Sequence, residues 1–438
     1  MKRQPTSGHW QGVLSQPRQP TRRQFLVELG GGVGLGMFAP ASAIWTAEAK
    51  SASASKQHSA IPPEPDSAKQ DRVLVVLQMT GGNDGLNTVV PYEDDVYSQS
   101  RPTLRLRGSE LHRIADGLGL HPEMKEAARL FQEGRLAIVQ GVGYPGSERN
   151  HPEAMRDWQT GQPPGALVPT GWLGRVADLL TQQKPFCVPA VCVGRIECPF
   201  ALRAQRTMVP SLREYPALGS LTSGFWQNVS TPAETVSQNP LADFLRRSQQ
   251  EARQMADKLR RHSPSLLRSA RYPRFGLARD LLTVAQLIRA QVGIRIFYVE
   301  LGGGGIGGFD THAHQAANHG ALLREFSASV AAWADDLAQD HTLDRVLMMT
   351  FSEFGRTVRE NGRRGTDHGA AQPVFLVGGR IRPGLIGTHP NLHDLEADAL
   401  KPQTDFRRLY RTMLQEWLGL DAKAVLGADW SSTPILQV

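Results

Sequence analysis

From residue 71 onward the chain is punctuated by short continuous apolar runs: 72–79 (RVLVVLQM), 136–142 (LAIVQGV), 295–301 (RIFYVEL), 345–351 (RVLMMTF) and 373–377 (PVFLV). None alternates apolar with polar residues, and Gly-rich or polar turns adjoin them. Such runs predict strands buried on both faces, as in a parallel sheet between two helical layers. Between them the apolar spacing changes to three and four. Leu322, Leu323, Phe326, Val330, Trp333 and Leu337 predict a helix over 319–337, and similar stripes predict helices over 275–288 and 405–418. These stripes read as core. The alternation predicts an α/β fold with a doubly wound, mostly parallel sheet sandwiched by helices. Residues from about 184 to 265 are rich in Pro, Ser and Gln with little periodicity, and are expected to form an insertion or cap.

The 438 residues are 40% hydrophobic and 21% charged, enough for one large domain, placed at 71–432, and far from the composition of a disordered chain. Forty-nine Lys and Arg against 42 Asp and Glu give a net charge of +7. The basic residues are scattered, and no basic patch interleaved with aromatics appears, so nucleic acid is not an expected partner. Part of the excess lies in a distinct N-terminal segment. Thr21-Arg22-Arg23-Gln24-Phe25-Leu26 precedes the Gly-rich apolar run 29–39 and the small residues Ala41-Ser42-Ala43. That order predicts a twin-arginine export signal over 1–43, with the twin-arginine translocase as partner and a periplasmic or secreted destination. The run is too short for a bilayer, which needs about 20 residues, and no other run reaches that length, so no stable membrane span is expected in the mature form. Cleavage after Ala43 would leave a net charge of +3. Residues 44–70, rich in Ser, Ala, Pro and Lys, read as a flexible linker. Cys187, Cys192 and Cys198 lack the paired spacing and fourth ligand of a zinc knuckle, and at most one disulfide is expected there.

Candidate chemistry collects where the runs meet their turns: 80–88 (TGGNDGLNT), 143–151 (GYPGSERNH), 309–315 (FDTHAHQ), 352–357 (SEFGRT) and 365–369 (GTDHG). In open α/β sheets ligands sit outside the carboxyl ends of the strands. The last motif precedes a strand instead of following one, so it is expected to reach that edge by a longer loop. Asp, Glu and His recur at these turns, and together they point to a divalent metal (Zn, Mg, Mn or Ca) held by Asp84, Asp310, His312, Glu353, Asp367 and His368. Several positions have a second reading. Asp84 also suits a tight turn, His314 replaces His312 if a helix starts there, Glu353 also suits an ion pair with Arg356, and Asp367 also suits orienting a single histidine ligand. Gly303 to Gly308 satisfies G-x-G-x-x-G only formally, because no helix start follows. No G-x-S-x-G nucleophile motif occurs.

The segments VLQMTGGNDGLNTVVPY, GVGYP with NHPEAMRDWQTG, GGFDTHAHQ, FSEFGRTVRENGRRGTDHG and TDFRRLY occur in an order that closely resembles the twin-arginine-exported domain-of-unknown-function 1501 family, over nearly all of 71–420. That resemblance implies the alkaline-phosphatase and sulfatase superfamily, with a metal site at the sheet edge. It assigns Asp84 to the first metal-binding aspartate, Asp310 with His312 or His314 to one metal, and His368 to that metal's late histidine. Glu353 stands where an aspartate of a second metal is usual, but Phe354 replaces the histidine beside it. Many relatives carry Arg-Ser-His where this chain has Arg149-Asn150-His151, and Asn150 has no nucleophilic hydroxyl. Two functions follow as expectations. One is a metal-dependent hydrolase of phosphate or sulfate esters, acting on a small anionic ester or glycan. In it His151 serves as general acid or base, Arg356 contacts the anion, and Thr88, Ser147 or water attacks. The other is a protein that keeps this fold without catalysis and binds a glycan, a metal or a partner.

Overall fold

All seven residues of β1 (Val73–Met79) are buried, because the strand lies in the middle of a sheet covered on both faces. The structure, a computed structural model, describes residues 67–184, 188–194, 197–212, 246, 250, 254, 272–302 and 308–437. The export signal, residues 44–66 of the linker stretch and Cys187 lie outside these. The last four residues of that stretch form a helical turn, α1 (Ser67–Gln70). The remaining strands are β2 (Val89–Pro91), β3 (His112–Ala115), β4 (Leu118–Leu120), β5 (Leu136–Gly143), β6 (Ala190–Val193), β7 (Ser211–Leu212), β8 (Ile296–Leu301), β9 (Val346–Phe351), β10 (Arg356–Glu360), β11 (Thr366–His368), β12 (Gln372–Gly378), β13 (Gly384–Ile386), β14 (Leu395–Glu396), β15 (Ala399–Leu400) and β16 (Thr404–Asp405). The helices that follow α1 are α2 (Asp95–Ser100), α3 (Lys125–Gln132), α4 (His151–Thr160), α5 (Trp172–Gln183), α6 (Gly276–Arg289), α7 (Gln315–Ala338), α8 (Phe406–Thr412) and α9 (Ala422–Leu426). The helix expected over 405–418 changes character midway, with α8 passing into a π-helical turn at Met413–Trp417.

The main sheet has the order β13-β5-β12-β9-β1-β8-β6-β7, with β16 also pairing β5. Every pairing in it is parallel except those of β12, which runs antiparallel to both β9 and β5. Successive side chains of a strand point to opposite faces. Val73, Val75, Leu77 and Met79 therefore join α3, α6 and α7 in one core layer. Leu74 and Val76 join α5, α8, α9 and Trp158 of α4 in the other. Residues 188–212 fall within the stretch expected to form an insertion or cap. The apolar segment AVCV forms β6, parallel to β8, and β7 extends the sheet beyond it. Among the described residues no helix is long and apolar enough to cross a membrane.

The reversal of β12 also corrects how the last motif reaches the site. An antiparallel strand begins at the edge where its parallel neighbours end, so Thr366–His368 lies at the carboxyl edge with no long detour. It arrives as the second strand of the β10–β11 hairpin, part of a small sheet of order β11-β10-β15-β14, and only residues 369–371 separate it from β12.

Candidate functional site

Three histidines and one aspartate converge at this edge. Asp310 and His312 follow β8, His368 ends β11, and His151 opens α4 just beyond β5. The Nε2 atoms of His312 and His368 stand 2.9 Å apart. Oδ1 of Asp310 lies 3.0 Å from the first and 3.2 Å from the second. On its other oxygen Asp310 meets His151 Nε2 at 3.5 Å. His151, Asp310 and His368 also form a compact donor group, with one ligand atom from each lying within 4.8 Å of the others.

The opposite nitrogen of each ring is held by a group that can only accept a proton. His368 Nδ1 is 2.8 Å from the Arg149 carbonyl, His312 Nδ1 is 3.0 Å from Asp367 Oδ1, and His151 Nδ1 is 2.8 Å from Glu353 Oε1. An acceptor on Nδ1 favours the tautomer that protonates this nitrogen and leaves Nε2 as the ligand atom. Two unprotonated Nε2 atoms 2.9 Å apart, as in His312 and His368, would be reconciled by a cation lying against both. This is the arrangement by which outer partners orient metal-ligating histidines. Edges of 2.9–3.2 Å also match a shell of bonds of about 2.0–2.1 Å, whose ligand edges run from roughly 3.0 to 3.4 Å. The donor set fits a small divalent cation.

Other expected ligands stand one step back. Asp367 is a brace for His312; its Oδ1 also accepts from Asn361 Nδ2 at 3.0 Å, and the His312 contact together with that bond holds its carboxyl below the usual range. Glu353 is almost fully buried and spends its carboxylate on His151 and on the Gly81 N–H, at 3.0 Å to each oxygen. The hydrogen bond that His151 donates to Glu353 raises the pKa of His151 against the opposing effect of burial. Gly81 (φ +117°) is required here, since a Cβ would come within 2.4 Å of the Asp310 amide.

Asp84 departs furthest from expectation. It is 1% exposed and forms a bidentate ion pair with Arg101, at 2.6 and 2.9 Å, instead of facing the histidines. Burial alone would raise its pKa, but Arg101 outweighs it and the carboxyl is lowered. Arg101 reaches it from the C-terminal cap of α2, and no sequence signal marks that pairing. Thr88 is buried in the same network, donating to the Asp84 carbonyl at 2.7 Å, and is not placed to attack a substrate. Arg356 is not free to contact an anion and makes no ion pair with Glu353. Its guanidinium donates to the carbonyls of Gly81, Gly82, Thr366 and Phe309 and, at 2.6 Å, to Asp310. His314 caps α7 as an exposed residue in left-handed backbone (φ 47°), away from the cluster. Asn150 caps α4 by accepting the Glu153 N–H at 3.2 Å. Ser147 lies beside Tyr144. Among the described residues no Ser or Thr hydroxyl hydrogen-bonds to Asp310 or to the three histidines. Phe354, 1% exposed, sets its ring centroid 4.4 Å from that of His368 and 5.0 Å from that of His151, giving the cluster an apolar wall.

Behind the cluster, His319 is fully buried and bonded through Nε2 to Asn83 Oδ1 at 3.1 Å; burial lowers its pKa to about 3. The unfolded chain binds a proton at about pH 6.5 that the folded chain refuses until about pH 3. Stability is therefore full above pH 6.5 and falls as pH drops through this window, by up to about 1.4 kcal/mol per pH unit for each such proton. Urea midpoints measured from pH 7 to 4 are expected to fall less steeply in His319→Gln than in the wild type, and parallel slopes would refute the assignment.

Among curated proteins no significant match to this sequence is found. Solved structures similar in fold include the lipoteichoic acid synthase LtaP from Listeria monocytogenes, with 9% identity, TM-score 0.37, and coverage of 74% of this chain and 70% of that one. The C-terminal periplasmic domain of EptC from Escherichia coli, in complex with Zn, has 10% identity, TM-score 0.34, and coverage of 73% and 77%. A protein in the alkaline phosphatase superfamily from Vibrio parahaemolyticus has 13% identity, TM-score 0.31, and coverage of 72% and 62%. The family model described as protein of unknown function (DUF1501) matches residues 71–429, and the chain belongs to that family.

Proposed function

We propose that this protein is an exported, metal-dependent hydrolase of phosphate or sulfate esters, with a single divalent cation held by His312, His368 and Asp310. The observation that carries the reading is the pair of inward-facing Nε2 atoms, 2.9 Å apart and closed by Asp310 Oδ1. Two imidazoles and one carboxylate favour zinc or another transition metal over calcium or magnesium, which prefer all-oxygen shells. Once bound, the ion supplies Lewis-acid polarisation of an ester oxygen. The chain's own residues do the rest. Arg356 fixes Asp310 from behind, and Asp367 and the Arg149 carbonyl fix the ligand tautomers. His151, its Nδ1 held by Glu353, sets its Nε2 3.5 Å from Asp310 Oδ2 and serves as proton donor or acceptor. Among the described residues no Ser or Thr hydroxyl bonds to the cluster, and water is assigned as the attacking group.

A second reading, a catalytically inactive binding protein, is favoured by that same lack of a hydroxyl together with the apolar wall at Phe354. The two separate on one experiment. Purified wild type is expected to retain about one divalent ion per chain and to hydrolyse an aryl phosphate or an aryl sulfate. His151→Gln is expected to keep the metal and lose about 10²–10⁴ of the rate. Stoichiometric metal without turnover favours the binding protein; failure to bind any divalent ion overturns both the site and the activity. Export by the twin-arginine translocase belongs to the same proposal, and the mature N-terminus in periplasmic extracts is expected immediately after Ala43.

A further inference from the structure

Arg149 stands between two strained places. It adopts left-handed backbone with φ 49°, a conformation in which the side chain of a non-glycine residue is strained. Its guanidinium donates to the carbonyls of Glu396 and Ala397, at 2.7 and 3.0 Å. Those carbonyls belong to the turn between β14 and β15, whose two loop residues, Ala397 (φ 47°) and Asp398 (φ 61°), are left-handed as well. Such turns favour Asn and Gly, and neither is present. The turn leads through β15 and β10 to β11, where Arg356 pairs with His368. The Arg149 carbonyl closes the circuit on His368 Nδ1 at 2.8 Å. Persistent strain of this kind needs surroundings that hold it in place, and here the holding contacts end on a metal ligand.

We propose that Arg149 is a positioning residue of the metal site: its side chain grips the β14–β15 turn so that its own carbonyl stays on His368 and keeps that ring's Nε2 turned inward. This rests on the metal reading given above but assigns a new role, played through a backbone oxygen. Arg149, Asn150 and His151 thereby divide three tasks among consecutive positions: bracing one histidine, capping α4 and presenting a second histidine.

The test is cobalt(II) binding to the purified full chain, followed by visible absorption and competed with a chelator, alongside thermal midpoints. Arg149→Ala is expected to weaken cobalt affinity by about 10–100-fold, the usual cost of losing an outer partner of a metal-binding histidine, and to change the band shape. Arg149→Lys, able to donate to a carbonyl but without the forked geometry, is expected to recover part of the affinity. Adding Ala397→Asn and Asp398→Gly to Arg149→Ala relaxes the turn, and is expected to restore the midpoint without restoring cobalt affinity. Cobalt binding by Arg149→Ala equal to wild type, or affinity regained on relaxing the turn, overturns the positioning role. Should Arg149→Ala fail to fold, the relaxed-turn variant carries the same comparison. Absence of cobalt binding in the wild type instead overturns the metal site itself.

Discussion

Arg101→Ala is expected to cost about 3–5 kcal/mol of folding stability, the range found when one partner of a buried ion pair is removed. Arg101 is completely buried, and its guanidinium makes five bonds: two to Asp84, one to Asn87 Oδ1 and one each to the carbonyls of Thr357 and Val358. Truncation leaves the Asp84 charge in a dry interior and two carbonyls without their donor. Removing both charges at once is expected to cost less than the sum of the single changes, because neither ion is then left alone. Urea denaturation of the two single variants and the double variant measures this directly. Single losses below about 1 kcal/mol would show that water reaches the pair. The same experiment separates the two aspartates that open their respective strand-end loops. Asp84→Asn, if it folds, is expected to keep the wild-type metal content, because Asp84 holds a guanidinium and not an ion.

Asp310→Ala is expected to have the opposite profile: metal retention lost by more than about 10²-fold, with a modest change in stability. Among the described residues Asp310 is the one carboxylate that touches all three histidines. Without it the Nε2 atoms of His312 and His368 face each other with no anionic oxygen between them. The fold is expected to survive, because Arg356 keeps its four backbone carbonyl acceptors and the Asp310 side chain is 43% exposed, where charge interactions are screened. Asp310→Asn keeps an acceptor oxygen and loses the charge, and is expected to fall between alanine and wild type. Elemental analysis of gel-filtered protein decides the matter, and an undiminished metal content in Asp310→Ala would remove Asp310, and with it the proposed ligand set.

These two aspartates show how far the sequence could be read. Both follow a buried strand and a glycine-rich stretch, and locally only the His312 two residues after Asp310 sets them apart. What separates them in the structure is a partner distant in the chain. Arg101 comes to Asp84 from α2, whereas Arg356 comes to Asp310 from β10 together with His368. The strands were legible as short continuous apolar runs, and the long helices by apolar positions recurring every three to four residues. The direction of β12 was not, since a short apolar run reads the same either way along the sheet. The divisions within the histidine cluster were equally hidden. Asp367 and Glu353 look like ligands by residue type, and only the orientation of the imidazoles shows that they hold the Nδ1 side. Asn361, which ties Asp367 Oδ1 to the His312 carbonyl at 3.0 Å in each direction, carried no signal beyond its place in a polar turn.

The reversed strand also governs when the site can exist during folding. β12 fills the gap between β5 and β9, strands formed by residues 136–143 and 346–351. Until it docks, two hydrogen-bonding edges stay open and the hairpin that carries His368 lacks its connection to the sheet. A chain whose β12 is undocked is therefore expected to bind the metal less well, so that metal occupancy follows closure of the sheet. For a protein proposed to cross a membrane already folded, the ion would then mark completed chains apart from those whose sheet is still open.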